Sequence, residues 1–187
     1  MGDEASIARA PDALRDDPPR GVIIATGALT LPDDGGPEKS LRQLDAEALV
    51  EAFRINAVGP APIAKHFLPL LRREGHSVFA ALGARVGSIG DNRLGGWHGY
   101  RASKAALAML LRNFAIEMDR THPDCVVAGL HPATVATPLS APFRGAVAGE
   151  GMLTPEQSAA HLLDVLERLE PADSGAVFDL RGARVEP

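Results

Sequence analysis

The sequence Tyr100-Arg101-Ala102-Ser103-Lys104 begins a long segment in which apolar residues recur at the spacing of an α-helix. Seven apolar positions before Met118 follow this spacing: Ala102, Ala105, Ala106, Met109, Leu110, Phe114 and Ile116. Residues four positions apart lie on one face of a helix, with Cβ atoms about 5–6 Å apart. Tyr100 and Lys104 are therefore predicted to be neighbours at the start of this helix.

The chemistry of this pair suits proton transfer. Tyr100 is the only tyrosine in the chain, and Lys104 is one of only three lysines. A free phenol has a pKa near 10, and a neighbouring ammonium stabilises the phenolate and lowers that pKa toward neutrality. The spacing thus favours a tyrosine acid/base assisted by a lysine. The alternative is a half-buried tyrosine that packs beside a solvated lysine.

The length and composition are those of one globular domain over residues 1–187. Hydrophobic residues make up 45% of the chain and charged residues 23%, so the chain can bury a core. The net charge of −5 disfavours nucleic acid and anionic membranes as partners. There is no membrane-spanning apolar stretch, no signal-peptide pattern and no histidine pair at metal-ligand spacing. With a single cysteine, Cys125, this predicts a cytoplasmic protein without a metal site.

Four apolar runs predict buried β-strands, at residues 21–27, 77–82, 125–130 and 176–180. Helical patterns separate these runs, and strands that alternate with helices form parallel sheets covered on both faces. We therefore predict a three-layer α/β fold with a Rossmann-like parallel sheet. Ligands bind such sheets beyond the carboxyl ends of the strands, where the loops after Ala25, Leu82 and Leu130 would lie.

Prolines shape the predicted helices. A weak helix over residues 3–16 is expected to kink at Pro11. The helical pattern over residues 44–73 is expected to bend just after Asn56, because two prolines follow that residue closely. The last helix begins with Thr154-Pro155, an N-cap followed by proline in the first turn.

Several motifs follow one another in a fixed order. They are Gly27 after the first strand, Asn56-Ala57-Val58-Gly59, the stretch from Ala84 to Trp97, Tyr100 to Lys104, and His131-Pro132 followed by Thr134 and Thr137. In this order and spacing they resemble the short-chain dehydrogenase/reductase family, and most closely its C-factor-like branch of small carbonyl reductases. The similarity covers nearly the whole chain.

The resemblance implies an oxidoreductase that transfers hydride between NAD or NADP and a small-molecule carbonyl or secondary alcohol. Tyr100 would be the general acid/base. Lys104 would lower the pKa of the phenol and hold the ribose of the cofactor, and Asn56 would bind a water that connects Lys104 to solvent. The residues implied in cofactor binding are Gly27, Tyr100, Lys104, Pro132, Val135 and Thr137.

The resemblance also implies mobile and oligomeric parts. Residues 138–151, rich in proline and glycine, would form a substrate lid. The helices that carry Asn56 and Tyr100 would form the faces of a homodimer or tetramer.

One motif of the family is absent from the sequence. The turn Thr-Gly-x-x-x-Gly-x-Gly, which holds the cofactor pyrophosphate at a helix N-terminus, occurs nowhere. The chain is therefore expected to correspond to the last two-thirds of such a domain, truncated on the N-terminal side and lacking the cofactor-binding βαβ portion. The strand at residues 21–26 would then be an exposed sheet edge, which is an aggregation hazard unless a partner covers it.

Single positions also depart from the family pattern. Ala84 occupies the position of the serine that bonds the substrate oxygen, and Ser88 could supply a hydroxyl instead or could cap the loop. Ala133 replaces a glycine. Trp97 could wall a substrate pocket, although packing beneath the loop is the more common fate of a lone tryptophan.

Two functions follow from these observations. The first is the NAD(P)-dependent oxidoreductase, supported by Asn56, Tyr100 and Lys104. The second is a cofactor-free binding or signalling module on the same fold, supported by the missing turn and serine. A hydrogen bond to a charged group contributes about 1.5–3 kcal/mol, so losing several pyrophosphate contacts is expected to abolish useful cofactor affinity of this chain.

Overall fold

The computed structural model describes residues 3–29, 36–141 and 152–187. Helices and strands alternate along most of these residues. Seven strands lie in these residues: β1 Gly21–Ile24, β2 Ser77–Leu82, β3 Cys125–His131, β4 Thr134–Val135, β5 Met152–Leu153, β6 Val177–Asp179 and β7 Arg184–Val185. Five α-helices accompany them: α1 Glu4–Arg9, α2 Ala46–Phe53, α3 Pro60–Phe67, α4 His98–Met118 and α5 Pro155–Arg168.

The main sheet has the strand order β1-β2-β3-β6-β7. The first four strands run parallel, and β7 closes the sheet antiparallel to β6. In the long β2–β3 ladder Ser77 pairs with Cys125 and Leu82 with Leu130, so the two strands end together. Side chains of β2 and β3 are buried on both faces because helices cover both. The predicted Rossmann-like parallel sheet is confirmed.

Each face of the sheet packs against its own helices. Alternate residues of β3 belong to different clusters: Val127 packs with Leu107 and Leu111 of α4, whereas Val126 packs with Val165 of α5. This alternation follows from the two-residue period of a strand. The α4 cluster is the one that positions the site, because α4 begins at the carboxyl ends of β2 and β3.

The predicted bend after Asn56 is present as a local change of helix type. A π-helical turn occupies Arg54–Val58 between α2 and α3, and the amide of Gly59 donates to the Arg54 carbonyl at 2.9 Å. Pro60 begins α3, where a missing N–H is tolerated. π-Turns widen a helix and often occur at functional sites. Here the turn carries Asn56, which is only 1% exposed.

Other helix ends agree with the sequence. Pro11 lies in a 3-10 segment, Ala10–Leu14, that follows α1, so the predicted break is confirmed. Thr154 accepts a hydrogen bond from the amide of Gln157, and the Gln157 side chain bonds back to the Thr154 amide, which completes a capping box. None of the helices in the described residues is both long and apolar enough to cross a membrane.

The sequence did not predict the short strands. β4 and β5 pair parallel to each other as a separate two-stranded ribbon, within a segment expected to be irregular. β7 was also missed. Two-residue strands have too few positions to show an alternating pattern, so only the tertiary pairing defines them.

The first strand lies at an edge of the sheet. β1 pairs with β2 alone among the described strands, and 45% of the Ile23 side chain is exposed. The prediction of an exposed edge strand is confirmed for the described residues.

Candidate active site

Asn56 connects the loop after β1 with the first turn of α4. Its Oδ1 accepts from the amide of Ala28 at 2.9 Å, and its Nδ2 donates to the Ala28 carbonyl at 2.8 Å and to Ser103 Oγ at 3.1 Å. The Ser103 hydroxyl donates to the Tyr100 carbonyl at 3.0 Å. The buried amide therefore fixes the β1 loop and the start of α4 relative to each other.

Tyr100 and Lys104 meet at the end of β2. The Lys104 Nζ atom lies 5.8 Å from the centroid of the Tyr100 ring and donates to the carbonyl of Leu82 at 2.7 Å. Lys104 is only 4% exposed, so its ammonium is held between α4 and the carboxyl end of the sheet. The structure thus brings Asn56, Tyr100 and Lys104 together, as the sequence predicted.

Burial shifts both titrating groups away from their charged forms. Desolvation raises the pKa of Tyr100 to about 12 and lowers the pKa of Lys104 to about 8. The sequence predicted a lowered pKa for the Tyr100 phenol, whereas in this structure desolvation outweighs the neighbouring charge and the net pKa lies above its ordinary value. At neutral pH the phenol keeps its proton and the lysine is mainly charged.

Two glycines let the backbone approach these side chains. A Cβ atom on Gly27 would lie 3.2 Å from both Asn56 Oδ1 and Lys104 Nζ. A Cβ atom on Gly87 would lie 2.9 Å from the Cβ of Lys104, which is closer than real contacts allow. The packing therefore requires glycine at residue 87, and at residue 27 a side chain would crowd the two polar atoms.

A cleft of about 830 Å³ opens at this rim of the sheet. All six residues implied in cofactor binding line it: Gly27, Tyr100, Lys104, Pro132, Val135 and Thr137. Most of its surface is apolar, since leucines of α5 and Ile23 of β1 form one side. A buried apolar cleft with few polar groups is the usual form of a small-molecule site.

The structure does not bring Ser88 to the cleft. Its Oγ accepts from the amide of Asp91 at 3.0 Å and contacts the carbonyl of Pro187 at 3.4 Å. Ser88 therefore caps its loop. This position does not support the alternative that its hydroxyl replaces the family serine. Ala84, at the serine position, does line the cleft and presents only a methyl group there.

Trp97 belongs to the cleft, although the sequence favoured packing beneath a loop. This residue lines the cleft and makes an edge contact with the Tyr100 ring, with centroids 6.4 Å apart. Its backbone has a φ of 51°, in the left-handed region, and precedes the first residue of α4. The lid predicted over residues 138–151 lies mostly outside the described residues, although Leu139 and Ser140 line the cleft.

The arrangement of three side chains beside the cleft defines the class of this site. A tyrosine and a lysine one helical turn apart, with a buried asparagine, lie at the carboxyl rim of a parallel sheet beside an apolar cleft. Residues 22–147 match the family described as short chain dehydrogenase. The chain belongs to this family.

Two relatives illustrate the similarity. A 1-hydroxy-2-glutathionyl-2-methyl-3-butene dehydrogenase from Rhodococcus sp. (strain AD45) is 38% identical over 132 residues, which cover 71% of this chain and 55% of the relative. The C-signal protein of Myxococcus xanthus is 33% identical over 147 residues, which cover 78% of this chain and 82% of that protein. The chain thus spans about half the length of the first relative and most of the second.

Solved structures share the fold. The NADPH-bound carbonyl reductase from chicken fatty liver superposes with a TM-score of 0.80 at 25% identity, over 99% of this chain and 74% of that chain. A short-chain dehydrogenase/reductase from Burkholderia multivorans with bound NADP gives a TM-score of 0.78 at 24% identity, over 98% of this chain and 73% of that chain.

Proposed function

We propose that this protein reduces a carbonyl group on a small apolar substrate, with NADH or NADPH as the hydride source. The observation that carries the proposal is the position of the half-buried Tyr100 beside Lys104 at an apolar cleft. Because the pKa of Tyr100 is raised to about 12, the phenol is protonated at neutral pH and can donate a proton. A protonated phenol is the form that carbonyl reduction requires.

The chain's residues fit the nicotinamide end of such a cofactor. Gly27 and Lys104 line the cleft together, and the Lys104 ammonium is a charged donor that suits a ribose hydroxyl. Pro132, Val135 and Thr137 line the adjoining wall. When bound there, the nicotinamide supplies hydride to the carbonyl carbon.

The chain's own residues then handle the proton. Tyr100 donates its phenolic proton to the carbonyl oxygen as negative charge develops on that oxygen. The Lys104 ammonium stabilises the phenolate that remains, across the 5.8 Å separation of nitrogen and ring centroid. Asn56 holds the β1 loop and the first turn of α4 in register, so the phenol stays aligned with the cleft.

A homodimer is part of the proposal. Met109 and Ile116 lie seven residues apart on one face of α4 and are 62% and 49% exposed, and Val50 of α2 is 69% exposed. Exposed apolar side chains on neighbouring helices are typical of a protein–protein interface. A cytoplasmic location remains a prediction that rests on the lone cysteine.

A second candidate is a cofactor-free signalling module on the same fold. It is supported by the similarity to a protein named C-signal, which this chain matches over most of that protein's length.

Reduction assays with Tyr100→Phe separate the two. Phenylalanine keeps the ring but has no proton to donate, so reduction of acetophenone by NADPH or NADH should fall by about 10²–10⁴-fold while the melting temperature is retained. A rate that survives the substitution would exclude Tyr100 as the proton donor. Calorimetry that detects neither cofactor, together with no turnover by the natural chain, would favour the signalling module.

A further inference from the structure

His131 ends β3 on the side of the sheet that faces α4. Side chains alternate along a strand, so His131 lies on the same face as Cys125 and Val127, which pack in the α4 cluster. It lines the same cleft as Tyr100 and Lys104. Its neighbour Leu130 pairs with Leu82, whose carbonyl holds the Lys104 ammonium at 2.7 Å. Adjacent strands are about 4.8 Å apart, so the imidazole belongs to this end of the cleft.

The two ring nitrogens of His131 have different surroundings. Nδ1 is buried and has no hydrogen-bond partner among the described residues. Nε2 also has no hydrogen-bond partner among the described residues. It is not among the buried atoms without a partner, so it is the accessible nitrogen. For backbone groups, a buried N–H without an acceptor is rarer than an under-satisfied acceptor. By the same reasoning the proton belongs on Nε2, which makes the accessible atom a hydrogen-bond donor.

Both serine hydroxyls that line the cleft are already bonded to backbone carbonyls. The hydroxyl of Ser158 donates to the Pro132 carbonyl at 3.0 Å, and that of Ser140 donates to the Val135 carbonyl. Ala84 and Gly83, at the end of β2, carry no hydroxyl. A second donor beside Tyr100 stabilises the charge that develops on a carbonyl oxygen, and His131 is a neutral donor that lines the same cleft.

We propose that His131 Nε2–H donates a hydrogen bond to the carbonyl oxygen of the substrate, in the role that a serine hydroxyl at position 84 would fill. The inference rests on the proposed function, since it assigns a second donor to the same substrate oxygen. It predicts a substrate whose polar group is a single ketone or aldehyde oxygen, bound with its apolar remainder toward the leucines of α5.

Acetophenone labelled with ¹³C at the carbonyl carbon tests the proposal without cofactor. Hydrogen bonding moves a carbonyl ¹³C resonance downfield, so the bound signal of the natural chain should shift downfield at saturating ligand. His131→Phe keeps an aromatic ring but removes the donor, and should lose most of the shift and about tenfold in affinity. His131→Gln, which retains an N–H, should keep part of both.

Turnover gives a second readout. His131→Phe should lower kcat for acetophenone reduction by about 10²–10³-fold, and adding Ala84→Ser to that variant should restore at least about tenfold of the loss. An unchanged ¹³C shift in His131→Phe, or no downfield shift in the natural chain, would overturn the assignment. If the shift depends on His131 but NADPH is never oxidised, the donor assignment holds and the oxidoreductase proposal fails. If His131→Phe and the natural chain turn over acetophenone equally, the oxidoreductase proposal holds and the donor assignment fails.

Discussion

The Nζ atom of Lys104 lies 5.8 Å from the centroid of the Tyr100 ring, and burial moves the pKa values of these two groups in opposite directions. Desolvation disfavours the phenolate of Tyr100 and the ammonium of Lys104 alike. The pair therefore rests with a protonated phenol over the whole neutral range. Lys104, by contrast, has a pKa of about 8, so it begins to lose its charge just above neutral pH.

The pH dependence of carbonyl reduction follows from these two values. The phenol stays protonated until about pH 12, so it limits nothing near neutrality. Lys104 loses its charge as the pH rises through about 8, and with it the stabilisation of the developing phenolate. We expect kcat/KM for acetophenone reduction to be level below about pH 7.5 and to decline above about pH 8 as a single deprotonation.

Lys104→Arg serves as the control for this profile. Arginine stays charged above about pH 10, so the variant should lose the decline, whatever its absolute rate. A profile of the natural chain that keeps rising at alkaline pH would contradict the role assigned to the lysine charge.

Lys104 is also expected to destabilise the fold. In the unfolded chain Lys104 holds its proton up to about pH 10.5, whereas the folded chain releases it at about pH 8. Below pH 8 the buried charge therefore lowers the free energy of unfolding, and this cost disappears as the pH rises to 10.5. Lys104→Met removes this cost but leaves the Leu82 carbonyl without its donor. We expect a net gain in the free energy of unfolding of about 1–2 kcal/mol at pH 7, measured by urea denaturation.

Lys65→Met is the matched control. Lys65 has a side chain that is 67% exposed and pairs with Glu4 on the surface, so its replacement should change stability little. The gain from Lys104→Met should shrink toward zero or below by about pH 10.5. A gain that is the same at both pH values would argue against a buried charge as its source.

Ala133 has a strained backbone. Its φ of 59° lies in the left-handed region, which costs an L-residue with a Cβ atom about 1–2 kcal/mol. Ala133→Gly relieves the strain but adds flexibility to the unfolded chain, at about 0.5–1 kcal/mol. We expect a net gain of about 0.5–1 kcal/mol in the free energy of unfolding, measured by denaturant titration.

Ala136→Gly tests the same chemical change nearby without the strain. Ala136 has an ordinary backbone conformation and an exposed side chain. Here only the entropic cost applies, so stability should fall by about 0.5–1 kcal/mol. Equal effects of the two substitutions would show that the left-handed conformation at residue 133 is not a source of strain.

The apolar face of α4 gives a test of assembly. Met109→Glu places a charge on a side chain that is 62% exposed, which an isolated monomer tolerates and an apolar interface does not. Light scattering after gel filtration should show a homodimer for the natural chain and a monomer for the variant.

Leu94→Glu provides the comparison, because Leu94 is 90% exposed and lies in the loop before α4. This variant should remain dimeric. Monomers in all three samples would remove the homodimer from the proposal.

The sequence by itself determined the elements whose signals are local. The bounds of β2 coincide with those of the apolar run, and β3 and α4 agree within two residues. The capping box at Thr154 and the bend beside Asn56 were also predictable, because caps and prolines act on their immediate neighbours. A spacing of four residues was enough to put Tyr100 and Lys104 on one face of a helix.

Only the tertiary structure decided what the site contains. Ser88 was a candidate donor by sequence, but a contact with the carbonyl of Pro187, 99 residues away, holds its hydroxyl outside the cleft. By sequence His131 belonged to a motif and had no role of its own, and only the tertiary structure buries its Nδ1 and brings it to the cleft. The depth of burial likewise reversed the expected shift in the pKa of Tyr100. Desolvation and long-range contacts depend on residues far apart in the chain, which no local pattern records.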